Sequence, residues 1–204
     1  MDPTDAYCAN VVTPPMEITS TRLGSFAVAF NKDIMVCGGI STSRTALQSC
    51  DLLQDLSRWK FNQKTIKNRS FAASSQSPYR DWFITGGFIT KELNSLYFGP
   101  DITDTTLIIG KDWKIREGPT LPYKVASHCM IHVEDRYFMV IGGMDENIRK
   151  TSPTSFYINY MTGDYLPLPF MKEGRANAAC IKHYSNNGTT MVSCIFAHTY
   201  SNMI

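Results

Sequence analysis

Three pairs of adjacent glycines, each directly behind a short apolar run, constrain this sequence more than any other feature. The pairs are Gly38-Gly39 in "DIMVCGGI", Gly86-Gly87 in "DWFITGGF" and Gly142-Gly143 in "YFMVIGGM". Gly86 follows Gly38 by 48 residues, and Gly142 follows Gly86 by 56. Because self-similarity at such a period indicates a repeat architecture, the chain is predicted to consist of units of about 50 residues.

Each unit is predicted to contain four short β-strands. A first run ("SFAVAF", "SFAASS", "SHCMIHV") precedes the run before each glycine pair, and a polar turn separates the two, which is the pattern of a β-hairpin. After a variable loop comes a third run ("LQSCDLL", "LNSLYF", "TSFYINY"), and then a fourth that begins with Trp59, Trp113 or Tyr165. The second unit carries an additional segment, "GPDITDTTLIIG". A fourth unit begins with "ANAACIKH" and "TMVSCIF", where Ala197-His198 stands in place of the glycines.

This unit resembles the kelch repeat, in which four strands with a double glycine after the second form one blade of a β-propeller. The resemblance covers about residues 20 to 198. It implies an all-β, kelch-type β-propeller with about three complete four-stranded blades and a partial fourth over residues 20–204, after an N-terminal extension over residues 1–19. Since propellers have about four to eight blades, we expect an incomplete ring.

The resemblance also assigns structural roles to the repeated residues. The glycines Gly38, Gly39, Gly86, Gly87, Gly142 and Gly143 would let inner strands crowd together and leave a strand abruptly for a loop. The aromatic residues Trp59, Trp113 and Tyr165 would pack between neighbouring blades. The alternative for each glycine pair is a plain hairpin turn.

Composition and motifs argue against several classes of function. Charged residues make up 19% of the chain and the net charge is +2, so we expect no nucleic-acid partner. No apolar run reaches about 18 residues, so we expect no membrane span. The pair His128 and His132 is compatible with a copper oxidase of the galactose-oxidase type, but we favour ordinary histidines near a strand end. No nucleotide-binding or nucleophile motif occurs, and we predict no enzymatic activity, no metal and no cofactor.

The cysteines and sequons bear on the compartment. Cys37 and Cys50 are predicted on adjacent strands that flank one loop, where a disulfide would contribute about 3 kcal/mol. "CGG…SC", with Cys129 and Cys180, resembles secreted invertebrate kelch-type propellers, and Asn68 and Asn187 begin glycosylation sequons. The N-terminal residues lack the pattern of a secretory signal. We favour a secretory compartment; the alternative is a cytoplasmic protein with buried free cysteines and chance sequons.

The loops carry the functional prediction. In kelch propellers, the loops between the second and third strands and the connections between blades gather on one face that binds partners. Here these are residues 40–46, 88–93, 144–153, 64–69, 117–125 and 171–176, with ten basic and five acidic residues. The resemblance therefore implies a non-enzymatic protein-interaction scaffold, whose unidentified protein partner we expect to be acidic. The residues assigned to partner binding are Arg44, Lys67, Arg69, Lys91, Lys124, Arg149, Lys150 and Arg175. Ordinary solvated loop charge, and a truncated copy without independent function, are the alternatives.

Overall fold

The described chain is all-β. The computed structural model describes residues 21–43, 46–89, 101–145, 150–184 and 190–198. Over these ranges fourteen strands form three four-stranded antiparallel sheets and one two-stranded sheet, and no helix occurs. Nowhere in these ranges is there a helix long and apolar enough to span a bilayer.

The three larger sheets share one topology, in which each strand pairs with the next in the chain. Sheet 1 consists of β1 (Phe26–Phe30), β2 (Asp33–Cys37), β3 (Ser49–Gln54) and β4 (Arg58–Thr65). Sheet 2 consists of β5 (Ala73–Gln76), β6 (Trp82–Thr85), β7 (Thr106–Ile109) and β8 (Ile115–Glu117). Sheet 3 consists of β9 (Cys129–Glu134), β10 (Tyr137–Ile141), β11 (Ser155–Asn159) and β12 (Tyr165–Pro167). The two-stranded sheet pairs β13 (Ala176–Tyr184) with β14 (Thr190–His198).

The third strand of sheet 2 corrects the sequence analysis. The run "LNSLYF", predicted to be that strand, lies outside the described residues, and β7 lies instead within the segment predicted to be additional. All four residues of β7 are buried, and two of them are isoleucines, whose branched side chains suit a pleated strand.

Sheet 2 is buried on both faces by its neighbours. Ile84, Leu107 and Ile109 belong to one core cluster with Phe26, Val28 and Phe30 of sheet 1. Phe83 and Ile108, the alternate residues on the same strands, belong to a second cluster with β10 and β11 of sheet 3. Successive side chains on a strand point to opposite faces, so sheets 1 and 3 cover opposite faces of sheet 2.

The first strands of successive sheets lie beside one another: β1 contacts β5, β5 contacts β9, and β9 contacts β13. A chain of backbone hydrogen bonds runs across their starting residues. Phe71 N donates to Gly24 O (2.7 Å), Ser127 N to Phe71 O (2.9 Å) and Asn177 N to Ser127 O (2.8 Å). All four residues have left-handed backbones, with φ between 52° and 68°. Equivalent residues of the four units therefore meet along one line.

Among the residues that the structure describes, two disulfides tie strands together. The first joins Cys37 of β2 to Cys50, directly opposite on β3, and is the pair predicted from the sequence. The second joins Cys129 of β9 to Cys180 of β13 and so links sheet 3 to the two-stranded sheet. The sequence marked these two cysteines without pairing them, because they are 51 residues apart and belong to different units.

Candidate functional site

Each glycine pair holds the backbone that enters the following sheet. Gly39 N donates to Arg69 O at 2.8 Å, and a Cβ on Gly38 would collide with the same oxygen. Gly86-Gly87 meets Val125 O and Gly142-Gly143 meets Arg175 O in the same way. All six glycines have positive φ, between 58° and 100°. The pairs are therefore backbone contacts between sheets as well as strand ends.

The loops predicted to bind partners gather at this end of the sheets, which we call the loop end. The residue after each glycine pair forms β-bridges with the segment that enters its own sheet and with the segment that leads to the third strand. These bridges are Leu23–Ile40–Ala46, Ser70–Phe88–Ile102 and Ala126–Met144–Thr151. The connection from β12 to β13 reaches the same end, since Met171 N donates to Pro153 O and Arg175 N to Ser152 O.

The predicted partner-binding residues differ in exposure. Lys124 and Lys150 are exposed at the loop end, and Arg175 is half-buried there. Lys67 is exposed and forms an ion pair with Glu117, whose carboxylate has a lowered pKa because it accepts a hydrogen bond from that ammonium. The three remaining residues, Arg44, Lys91 and Arg149, lie outside the described residues.

Arg69 corrects the sequence analysis, because its side chain is fully buried. Its Nη1 donates to the carbonyl oxygens of Gly86 and Thr105, and its Nη2 donates to Thr105 Oγ1. Burial lowers the pKa of the guanidinium to about 10, which leaves it charged at neutral pH. Arg69 therefore organises the loop end from within and presents no charge to a partner.

Sequence reasoning missed two exposed aromatic residues at the loop end. Phe170, between β12 and β13, is 76% exposed, the largest value among the exposed large hydrophobic side chains of the described residues. Tyr123, between β8 and β9, is 48% exposed. The signal was present in "LPYK" and "LPFMK", where an aromatic follows proline and lies one or two residues before a lysine. Aromatic residues are enriched where proteins bind other proteins.

The aromatic residues predicted to pack between sheets differ in their burial and their contacts. Trp113, in the turn before β8, packs edge-on against Phe30 of sheet 1, with ring centroids 4.7 Å apart. Trp59 is half-buried on β4 opposite Leu53. Tyr165 corrects the prediction, because it is 49% exposed and its rings in contact are Tyr123 and Phe156.

Tyr160, directly after β11, contacts sheet 2 together with Phe138 of β10, whose ring centroid lies 5.3 Å from that of Phe83. The Tyr160 ring centroid lies 5.9 Å from that of Phe83, and its hydroxyl donates to Asp81 Oδ2 at 3.3 Å. The segment "SFYINYMTGDY" contains several aromatic residues near this turn. The sequence alone does not show which of them lies against the neighbouring sheet.

Three described histidines each have a different hydrogen-bonding partner. His128 Nε2 lies 2.7 Å from Thr85 Oγ1, and burial, followed by the positive charge of Arg69, lowers the pKa of His128 to about 3. His132 Nε2 lies 2.9 Å from Asp135 O, and His183 Nε2 lies 2.8 Å from Ser193 Oγ. Across the described ranges, no three His, Cys, Asp or Glu residues are arranged to hold a metal ion.

A cavity of about 560 Å³ lies at the opposite end of sheet 3. Tyr137, Tyr157 and Tyr165 line it together with Glu134 and Asp164, and Val192 of β14 closes one side. The cavity is open to solvent and lies beside the two-stranded sheet.

The two predicted sequons have separate outcomes. The Asn68 side chain is half-buried, and its Nδ2 donates to Ile89 O, so a glycan on that nitrogen would leave a single N–H to make this hydrogen bond. Asn187 lies outside the described residues.

Comparison of the sequence with protein-family models and with curated proteins finds no match in either set.

Proposed function

We propose that the chain is a segment of a kelch-type β-propeller that works as a protein-interaction scaffold. Three four-stranded sheets, with their first strands side by side and their faces packed on one another, support this architecture. The glycine pairs support the kelch type, because each occupies the position at which one sheet meets the backbone entering the next. The two disulfides fit an oxidising, secretory-type compartment.

The observation that carries the functional proposal is the exposure of Phe170 at the loop end. Burying a phenylalanine side chain contributes about 1.5–3 kcal/mol, and a few such residues dominate most interfaces. Tyr123 lies on the neighbouring connection and is also exposed. Both connections are held by backbone hydrogen bonds, as in Met171 N to Pro153 O and Leu121 N to Asp104 O. A partner would therefore meet an ordered surface, which reduces the entropy lost on binding.

The charge of these two connections favours an acidic partner. Residues 118–126 and 168–175 contain Lys124, Lys172 and Arg175 against a single acid, Glu173. Lys124 and Lys172 are exposed. We therefore propose a partner that offers an apolar side chain flanked by carboxylates, with charge contributing to the association rate more than to the affinity.

Site-specific photo-crosslinking tests this function. A photoreactive phenylalanine analogue at position 170 is expected to capture a discrete protein from the secretory material of the source cells. The matched control places the analogue at Tyr79, which is 54% exposed in the β5–β6 turn at the opposite end. With the analogue at Tyr123, the substitutions Phe170→Ser and Lys172→Glu should reduce the captured product at least about tenfold, the loss of one aromatic anchor. Equal capture at positions 79 and 170, or no effect of the two substitutions, would contradict the proposal.

A further inference from the structure

Arg22 of sheet 1 is a buried arginine with a complete set of partners. Its Nη1 donates to Gly38 O and to Ser49 O, both at 2.9 Å, and its Nη2 donates to Ser49 Oγ at 2.8 Å. The remaining donors meet Asp51, whose Oδ2 lies 3.0 Å from Nε and 2.8 Å from Nη2. Both side chains are at most 5% exposed, so the buried positive charge is neutralised by a buried carboxylate.

Arg69 occupies the equivalent position in sheet 2. Gly38 N donates to Ser49 O and Gly86 N donates to Thr105 O, which aligns Ser49 with Thr105. The contacts of Arg69 with Gly86 O, Thr105 O and Thr105 Oγ1 repeat those of Arg22 one for one. The same alignment, two residues further on, places Leu107 where sheet 1 has Asp51.

This replacement leaves Arg69 without the carboxylate that Arg22 has. Arg69 Nε is buried and has no hydrogen-bond partner in the protein, and the side chain is fully buried. Leu107 is 4% exposed and offers no acceptor. His128 is buried and neutral, because burial and the positive charge of Arg69 lower its pKa to about 3. The site therefore carries one buried positive charge, a costly arrangement unless an anion accompanies it.

A cavity of about 60 Å³ lies beside these residues. Arg69 and Leu107 both line it, and threonine hydroxyls and an ion pair complete the lining, from Thr105, Thr106, Thr120, Lys67 and Glu117. Lys67 and Glu117 form their ion pair with side chains 64% and 72% exposed, so they lie at the solvent side and neutralise each other. Burial lowers the pKa of Arg69 but leaves it charged, so the inner wall is cationic.

We propose that this cavity binds a small monovalent anion, such as chloride or a carboxylate the size of formate, on Arg69 in the place of the carboxylate that Asp51 provides to Arg22. The volume suits a ligand of one to three heavy atoms, because a water molecule occupies about 30 Å³ in the liquid. The Nε–H of Arg69 is the principal donor, and the hydroxyl of a lining threonine supplies a second. The inference rests on the comparison of the two sheets and is independent of the proposed protein partner.

Thermal unfolding of the full chain at constant ionic strength tests the proposal. Formate or chloride is exchanged for gluconate, a monovalent anion with many more heavy atoms than the cavity suits, and the midpoint is followed as a function of anion concentration. An anion that binds only the folded state raises the midpoint by about 3–6 °C for each tenfold increase in concentration above its dissociation constant. We expect this dependence in the wild type.

Two substitutions exchange the residue at this position between sheets 1 and 2. Leu107→Asp supplies the missing carboxylate and should abolish the anion dependence. Asp51→Leu removes the carboxylate from sheet 1 and should add a second anion-dependent contribution. Retention of the wild-type dependence in Leu107→Asp would overturn the proposal. So would its absence from the wild type.

Bromide substitution keeps the proposal testable if either variant fails to fold. Anomalous diffraction from wild-type crystals grown in bromide should show a peak within hydrogen-bonding distance of Arg69 Nε. No peak is expected beside Arg22, because the carboxylate of Asp51 occupies the corresponding position. Equal peaks at both arginines, or none at Arg69, would refute the anion site.

Discussion

At the residue scale, three backbone carbonyls determine what can occupy the glycine pairs. The oxygens of Arg69, Val125 and Arg175 each accept a hydrogen bond from the second glycine, and each lies where a Cβ of the first glycine would be. The left-handed backbone at these positions adds a second reason for glycine, because side chains rarely adopt it. Both constraints act at the seam between one sheet and the next.

Substitution of Gly86 by alanine tests this explanation. The new Cβ would collide with Val125 O, and φ is +58°, so we expect a loss of about 3 kcal/mol or more in the free energy of unfolding. Gly110→Ala is the matched control, because the nearest atom to its Cβ belongs to the exposed side chain of Asp112 and not to the backbone, and its φ is not in the left-handed range. The control should change stability by less than about 1 kcal/mol in urea titrations. A Gly86→Ala variant as stable as the control would contradict the claim that Val125 O excludes a side chain at position 86.

The burial of the Arg69 side chain was not predicted from the sequence. Its charge and its place in a connection suggested a surface residue, whereas its burial depends on the third strand of the same sheet. A usable signal existed, since Arg22 precedes Gly38 by 16 residues and Arg69 precedes Gly86 by 17. An arginine that recurs with the repeat indicates a role in the framework, and Val125 in the third unit interrupts that pattern.

At the element scale, the two disulfides stabilise different levels of structure. Cys37–Cys50 connects neighbouring strands of one sheet, and the pair is separated by 13 residues. Cys129–Cys180 connects sheet 3 to the two-stranded sheet across 51 residues. In the chain-entropy model the longer loop gives the larger restriction of the unfolded chain, about 4 kcal/mol against about 3 kcal/mol.

Paired alanine substitutions separate the two contributions. We expect Cys129→Ala with Cys180→Ala to lower the free energy of unfolding by about 4 kcal/mol and to increase amide exchange in β13 and β14 selectively. Cys37→Ala with Cys50→Ala should cost about 3 kcal/mol and leave the exchange of β13 unchanged. Equal exchange in β13 for both double variants would show that the second disulfide does not hold the two-stranded sheet to sheet 3.

Most strands could be predicted from the sequence, because the first two of each unit are short runs separated by a polar turn, and in β1 the burial alternates with a period of two. The burial of Phe26, Val28 and Phe30 with the intervening Ala27 exposed follows this rule. The third strand of sheet 2 could not be placed, since the variable loop offers two apolar runs, "LNSLYF" and "TTLII". Burial on both faces selects among such runs, and only the neighbouring sheets create it.

At the scale of the whole molecule, sheet 2 is enclosed between sheets 1 and 3, and equivalent residues of all four units meet along one line. The repeat predicted the number of sheets and the end at which the loops gather. It could not predict the ladder from Gly24 through Phe71 and Ser127 to Asn177, because four different residue types share one backbone conformation there. It also could not show that Phe170 is exposed, since a large apolar residue close to a strand is normally predicted to be buried.

The main structural conclusion is that the sheets pack face to face and are joined by backbone hydrogen bonds at the glycine pairs and at the residues that begin the first strands. Amide hydrogen exchange measured by NMR tests it directly, at Gly39, Gly87, Gly143, Phe71, Ser127 and Asn177, whose N–H groups make the bonds between units. The comparison amides are Ser57 and Arg80, which bond only within local turns. We predict that the six amides exchange at least about a thousandfold more slowly than the two turn amides, as backbone groups that open only with the core do. Exchange of the six at the rate of Ser57 and Arg80 would mean that the glycine pairs are plain hairpin turns on separate sheets, and would contradict the account.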